Sequence, residues 1–217
     1  MARRTTVTAA CTLAAAALML TACGGGGDKK IAATTSGTPA GAPSASATTT
    51  PPTTSAPGAP TFDFPADVKV VVDADTTGDA AKSAILRDQG YGLQAIYVAL
   101  TKGDPELPLL HKYVIEDALA TWSGSIKGGK EQHLTVTGDL RFYNRKVVNA
   151  TSTTAGVTFC EDQRYSYNKH TDTGKIDKTK PSANSFVFHT ALMNKSADGT
   201  WQMANYKSQR GAAQCQL

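Results

Sequence analysis

Residues 133–151, HLTVTGDLRFYNRKVVNAT, and residues 155–170, AGVTFCEDQRYSYNKH, decide the fold of this 217-residue chain. Apolar and polar residues alternate along both stretches, which is the period of a β-strand with one buried face. The stretches 184–196 and 200–209 alternate in the same way, and Asp198-Gly199 is a turn signal between them. The carboxyl-terminal half is therefore predicted to form a meander of long antiparallel strands.

A helical pattern precedes these strands. After Asp79, a residue type that favours helix N-caps, apolar residues recur at helical spacing, and Gly103-Asp104-Pro105 is predicted to end the helix. Gly90 and Gly92 each weaken the middle of this helix by about 1 kcal/mol relative to alanine. A second helical stretch covers about 106–122, and a short strand at 68–73 precedes both helices. This order indicates an α+β fold, with amino-terminal helices packed on one face of a curved antiparallel sheet.

The first 22 residues have the features of a secretory signal. Two arginines precede an apolar run over 9–20, which is shorter than the roughly 20 residues that a membrane-spanning helix needs. The run ends in Leu20-Thr21-Ala22-Cys23, which resembles a bacterial lipobox. We therefore predict a signal peptide over 1–22 and lipidation of Cys23, the alternative being an ordinary secretory signal with an incidental cysteine.

The segment after Cys23 lacks the composition of a folded domain. Residues 24–60 are nearly all Gly, Ser, Thr, Ala and Pro, so they cannot bury enough apolar surface to offset their conformational entropy. A flexible coil of this length spans roughly 35 Å. The sequence thus predicts a lipidated, disordered tether over 23–60, and one globular domain over 61–217 on the extracellular face of the cytoplasmic membrane.

The cysteines fit an exported protein. Cys11 lies in the predicted signal and Cys23 is the predicted acylation site, which leaves Cys160 and Cys215. An even pair in an oxidising compartment predicts a disulfide. The alternative is a metal or redox pair, but no C-x-x-C spacing or nearby histidine cluster supports it.

The charge distribution indicates no nucleic-acid partner. Removal of 1–22 takes away two arginines and no acidic residue, leaving 20 basic and 18 acidic residues and a net charge of +2. Nucleic-acid-binding domains usually carry a much stronger basic patch. The basic stretch 169–181 is expected to be a solvated loop, the alternative being a contact with anionic lipid heads or wall polymers.

The sequence contains no complete match to an established catalytic or cofactor-binding motif. Residues 73–78, DADTTG, begin like a calcium loop, but Ala84 stands where the bidentate glutamate belongs. Ser166 and Lys169 fit S-x-x-K, yet they lie on a predicted strand and no K-T-G motif accompanies them. We therefore expect neither a metal nor a cofactor.

Three segments carry a resemblance to a known family: Cys160-Glu161-Asp162-Gln163, the hairpin around Trp201, and the ending SQRGAAQC at 208–215. In these and in its layout, 61–217 resembles uncharacterised actinobacterial secreted lipoproteins, which are similar to the nuclear transport factor 2-like group. The resemblance implies a cone, in which a bent sheet wraps around helices and leaves a cavity at its wide end. Relatives of that fold include isomerases, dehydratases and non-catalytic binding modules, so the fold alone assigns no chemistry.

Five polar or aromatic residues on the predicted strands are candidates to line such a cavity: Tyr143, Asp162, Tyr165, His189 and Trp201. Asp162 and His189 would form an acid–base pair if their strands face each other. Alternation places His189 on the face that carries Val187, Ala191 and Met193, and Phe188 on the other. Both faces are apolar, so alternation leaves open which of them lines the cavity.

Three functions follow as hypotheses. The preferred one is a non-catalytic, lipid-anchored envelope domain that binds a small hydrophobic ligand or another envelope protein. The second is a dehydratase or isomerase that uses Asp162 and His189. The third is a spacer that presents its surface to partners, which would show a filled core and an exposed apolar patch.

Overall fold

A computed structural model of the chain describes residues 58–74 and 77–217. It contains the strands β1 (Val68–Val72), β2 (Leu134–Ala150), β3 (Thr154–His170), β4 (Ile176–Asp177), β5 (Phe186–Lys195) and β6 (Trp201–Arg210), and the helices α1 (Ala80–Lys102), α2 (Pro108–Tyr113) and α3 (Glu116–Glu131). The predicted signal, Cys23 and the predicted tether up to residue 57 lie outside the described residues. Among the residues described, no helix has both the length and the apolar character needed to cross a bilayer.

The strands form one curved sheet in the order β1-β2-β3-β5-β6, and β4 pairs with the end of β3. Irregularities in the pairing of β2 with β3, such as the one between Asp139 and Arg141, are bulges, which bend a sheet. The predicted layout, with helices packed on a curved sheet, is confirmed. β1 differs from the rest because it runs parallel to β2, so the sheet is mixed.

Helix α1 begins and ends as predicted. The Asp79 carboxylate accepts hydrogen bonds from the backbone N–H groups of Ala81 and Lys82, at 2.9 and 3.0 Å, and Gly103 ends the helix with a φ of 61°. Gly92 lies inside the helix and faces Tyr113 of α2. A Cβ at that position would lie 3.4 Å from Tyr113.

The second helical stretch is two helices, where a single one over about 106–122 was predicted. The chain becomes extended at Val114 and Ile115, and the Ile115 N–H donates to the Met203 carbonyl of β6 at 2.9 Å. β-branched residues favour extended backbone, and this long-range pairing adds to that preference. Helix α3 then continues through Gly128 and Gly129 to Glu131, nine residues beyond the predicted end.

The main core lies between the helices and the inner face of the sheet. It joins helix residues such as Leu86, Leu93 and Ile96 to Phe142 and Phe159 of the sheet. A smaller cluster lies on the outer face, where the carboxyl-terminal segment covers it; its members are Tyr143, Cys160, Phe186, Ala212 and Cys215. The sheet is therefore packed on both faces at the middle of β3.

Candidate functional site

A cavity of about 230 Å³ lies between α3 and the inner face of β3, β5 and β6, and we call it the inner groove. Its walls include Trp122 of α3 and, from the sheet, Glu161, Gln163, Val187, His189, Tyr206, Ser208 and Arg210. A second cavity of about 380 Å³ adjoins it, shares Trp122, Gln163 and Arg210, and extends to Tyr97 and Leu100 of α1. Together they leave an open space between the helices and one end of the sheet.

A buried pair of a carboxylate and an imidazole lies at the base of the inner groove. Glu161 of β3 and His189 of β5 are 2% and 1% exposed, and their Oε2 and Nε2 atoms are 2.9 Å apart. Both project from the inner face because they alternate with outward-facing neighbours in paired strands. Burying a charge without a partner costs several kcal/mol, so each group depends on the other.

Both carboxylate oxygens of Glu161 are occupied. The Tyr97 hydroxyl of α1 donates to Oε1 at 2.6 Å, while His189 binds Oε2. Burial alone would raise the pKa of Glu161, but the hydrogen bond and charge of His189, with hydrogen bonds from Tyr97 and Gln163, hold it below its ordinary value. Burial and the charge of Glu161 raise the pKa of Tyr97 well above its usual range, so Tyr97 stays a donor.

This arrangement fixes the imidazole of His189. An ionised carboxylate only accepts hydrogen bonds, so Nε2 must carry a proton. The other nitrogen, Nδ1, lies 3.0 Å from the Ser208 hydroxyl of β6. The ring packs against Phe159 and Tyr206, with centroids 4.7 and 5.0 Å away, so its orientation is set by packing as well as by hydrogen bonds.

The upper part of the inner groove presents hydrogen-bond donors. Nη1 of Arg210 donates to Gln163 Oε1 at 2.7 Å and to the Asn184 carbonyl at 3.2 Å, and within 58–74 and 77–217 no carboxylate forms an ion pair with Arg210. The buried indole N–H of Trp122 has no hydrogen-bond partner in the described part of the chain. A buried donor without a partner is costly.

Asp162 and His189, predicted as a pair, are not brought together. Asp162 projects from the outer face, where Arg164 binds its carboxylate with Nη2 at 2.8 Å. Burial alone would raise the pKa of Asp162, but the hydrogen bonds and charge of Arg164 lower it. Asp162, Arg164 and Tyr165 line a separate outer depression with Arg141, and Tyr165 is 54% exposed.

The other two predicted pocket residues also lie elsewhere. Tyr143 belongs to the outer cluster, where its hydroxyl donates to the Cys215 carbonyl. Trp201 begins β6, and Ser208 follows it by seven strand positions, roughly 23 Å. Of the five predicted residues, only His189 lines the inner groove. The predicted disulfide is confirmed: Cys160 is bonded to Cys215, with Cα atoms 5.5 Å apart.

The sequence contained a signal for the partner of His189 that the prediction missed. Glu161 shares its strand face with Val157 and Phe159, both buried, just as His189 shares its face with Val187. One ionisable residue stands among buried apolar residues at 155–161 of β3 and another at 187–193 of β5, which favours a pairing of the two. Tyr97, Trp122 and Ser208 carried no comparable signal, because they come from two helices and the last strand.

Metal-ligand clusters of three or more His, Cys, Asp or Glu residues do not occur within 58–74 and 77–217.

No protein-family model matches the chain, and no curated protein matches it.

Several solved structures are similar to the chain. A ketosteroid isomerase-like protein from Erwinia carotovora atroseptica is 19% identical, with a TM-score of 0.37 over 55% of this chain and 90% of its own. The intermembrane space region of the chloroplast protein ARC6 is 13% identical, with a TM-score of 0.39 over 57% and 92%. A nuclear transport factor 2-like superfamily protein from Salmonella enterica serovar Typhimurium is 12% identical, with a TM-score of 0.37 over 56% and 87%.

Proposed function

We propose that this chain is a lipid-anchored envelope protein whose domain binds a small molecule in the inner groove. The observation that carries the proposal is Arg210 on the wall of the inner groove, which donates through Nη1 and forms no ion pair among the described residues, beside a Glu161–His189 pair that is already hydrogen-bonded. A groove with an apolar wall and a few converging polar groups is the usual form of a small-molecule site.

The wall residues suggest the chemistry of the ligand. Trp122, Val187 and Tyr206 offer an aromatic and aliphatic surface, which suits an apolar body. Arg210 offers a cation, and guanidinium groups bind carboxylate oxygens strongly. The ligand is therefore a small, largely apolar molecule with an accepting oxygen group, such as a carboxylic acid or one of its esters.

Binding of 2-naphthoate, measured by equilibrium dialysis with the full chain, tests this proposal. The neutral isostere 2-naphthamide should bind about tenfold more weakly, which corresponds to the loss of about 1.4 kcal/mol. Arg210→Ala should remove the difference between the two compounds. Lys207→Ala removes a charge of the same sign from an exposed position in the same strand. This variant should still bind 2-naphthoate more tightly than 2-naphthamide. Equal affinity for both compounds in the wild type would overturn the proposal.

The anchor rests on the lipobox-like stretch 20–23 and on the composition of the predicted tether. The Cys160–Cys215 disulfide is consistent with a location outside the cytoplasm, where disulfides persist. Cys23→Ser should release the protein from the membrane or leave its precursor unprocessed, as measured by membrane fractionation and intact mass. If the variant stays attached to the membrane and its mass differs from that of the wild type only by the substitution, the lipid-anchor proposal is overturned. The binding proposal has its own test.

A further inference from the structure

Ser208 has a hydrogen-bonding environment that ligand binding does not require. Its hydroxyl lies 3.0 Å from Nδ1 of His189, whose Nε2 lies 2.9 Å from Glu161. Ser208 is exposed in the inner groove, whereas His189 and Glu161 are buried beneath it. A hydroxyl, an imidazole and a carboxylate are thus linked in series, and the hydroxyl is the member that a ligand can reach.

We propose that Ser208 is a nucleophile, activated by His189 and Glu161, that cleaves a small carboxylic ester bound in the inner groove. This inference rests on the proposed function, because the ester must first occupy the groove. Serine is a weak nucleophile at neutral pH and needs an adjacent base that removes its proton. Here the base is held in line by a carboxylate on its far side, as in hydrolytic triads on unrelated folds.

The hydrogen bonds assign the protons. Glu161 accepts from Tyr97 through one oxygen and from His189 through the other, so Nε2 of His189 is the protonated nitrogen. In the neutral imidazole Nδ1 then carries a lone pair, and the Ser208 hydroxyl is the group that faces it. The contacts of the ring with Phe159 and Tyr206 favour this alignment.

The reaction balances with water as the only co-reactant. Oγ of Ser208 bonds to the ester carbonyl carbon while Nδ1 of His189 takes the hydroxyl proton. The bond from that carbon to the alcohol oxygen then breaks, and the alcohol leaves with the proton from Nδ1. Water attacks the acylated Ser208 in the same way, which releases the carboxylic acid and restores the serine. Glu161 is a positioning residue, since it acts through His189.

The negative charge that develops on the carbonyl oxygen needs donors, and the inner groove contains them. Arg210 lines the same cavity as Ser208, and its guanidinium group carries a positive charge and several N–H donors. Donors that are already in place when charge develops are a major source of rate enhancement. The serine stands on a regular strand in the sequence Lys207-Ser208-Gln209, which explains why no nucleophile motif is visible in the sequence.

Labelling by an alkyl fluorophosphonate tests the nucleophile directly. The serine oxygen forms a bond to phosphorus, fluoride leaves, and His189 takes the proton. We expect the full chain to be labelled within the chymotryptic peptide 207–217, after reduction of the disulfide. Ser208→Ala should abolish that label, whereas Ser196→Ala, which removes a hydroxyl from a distant turn, should keep it. Ser208 is exposed, so its alanine variant is expected to fold.

Two further variants test the base and its carboxylate. His189→Gln should slow labelling by about 10²- to 10⁴-fold, the usual contribution of general base catalysis. Glu161→Gln should slow labelling and also shift the His189 proton from Nε2 towards Nδ1, which imidazole ¹⁵N chemical shifts report. A purely structural carboxylate would leave the tautomer unchanged, and an unchanged tautomer overturns the positioning role of Glu161.

The outcomes separate this inference from the proposed function. A folded protein that binds 2-naphthoate but leaves Ser208 unlabelled overturns the nucleophile and supports the binding site. Labelling of Ser208 at an equal rate in wild type and His189→Gln also overturns the inference, because the serine would then react without its base. If the folded wild type neither binds 2-naphthoate nor is labelled at Ser208, both proposals are overturned.

Discussion

Glu161 and Asp162 are adjacent carboxylates of the same strand, yet they belong to different parts of the molecule. Glu161 faces the helices, is 2% exposed, and binds His189 and Tyr97. Asp162 faces outward and binds Arg164, whose side chain is 31% exposed. Both carboxyl groups have a pKa below the ordinary value, but one is held low by a buried histidine and the other by a partly solvated arginine.

The difference shows that a charged residue type does not by itself locate a site. Strand alternation sends consecutive side chains to opposite faces, so a shift of one position exchanges the inner network for a partly exposed ion pair on the outer face. The prediction that Asp162 pairs with His189 was wrong by one strand position, because the partner is Glu161. The two carboxylates should therefore respond very differently to the same changes.

Removal of the Glu161 carboxylate should have the largest effect. Glu161→Ala leaves His189 and Tyr97 without their buried partner, and breaking a buried pair typically costs about 3–5 kcal/mol. We expect the melting temperature, followed by circular dichroism, to fall by roughly 10 °C. Asp162→Ala is the matched control, and the comparison fails if it lowers the melting temperature by as much.

Removal of the disulfide tests the outer face alone. The Cys160–Cys215 bond closes a loop across 55 positions, and such bonds contribute about 2–4 kcal/mol. The double variant Cys160→Ala with Cys215→Ala should lose that stability in urea denaturation. Its affinity for 2-naphthoate should not change, because the disulfide lies on the face opposite the inner groove. A weaker affinity in the folded variant would show that the two faces are coupled.

Acid should weaken the inner network. The pKa of Glu161 is lower in the folded protein than its ordinary value of 4.5, so the stabilisation is fully present above about pH 4.5. It is lost as the pH falls through the lower, folded pKa, because the unfolded state binds the proton first. Glu161→Gln should therefore flatten the decline of unfolding free energy below pH 4.5, measured by urea titration at several pH values. An unaltered decline would contradict the assignment.

Asp162→Asn should have the smallest effect. The ion pair with Arg164 is partly exposed, and such pairs contribute about 1 kcal/mol or less. We expect a slight fall in melting temperature and no change in 2-naphthoate binding or in fluorophosphonate labelling of Ser208. Loss of labelling in this variant would show that Asp162 contributes to the site, and the distinction between Asp162 and Glu161 would then be wrong.

The elements themselves were largely predictable because they depend on local patterns. The N-cap at Asp79, the end of α1 at Gly103 and the four long strands follow from capping chemistry and hydrophobic period. The split of the second helix was not predictable, because its cause is the backbone pairing of Ile115 with Met203. These two residues are far apart in the chain, and no local pattern records their contact.

The sequence by itself determined the α+β layout, the strand meander and the cysteine pair. The layout and the strands follow from local hydrophobic periodicity and turn residues. The cysteine pair follows from an even number of cysteines in a protein predicted to be exported to an oxidising compartment. Only the tertiary structure decided that His189 meets Glu161 rather than Asp162, and that Ser208 completes the series. That choice depends on which face of each strand the helices cover and on the register between β3, β5 and β6. Both are set by long-range packing.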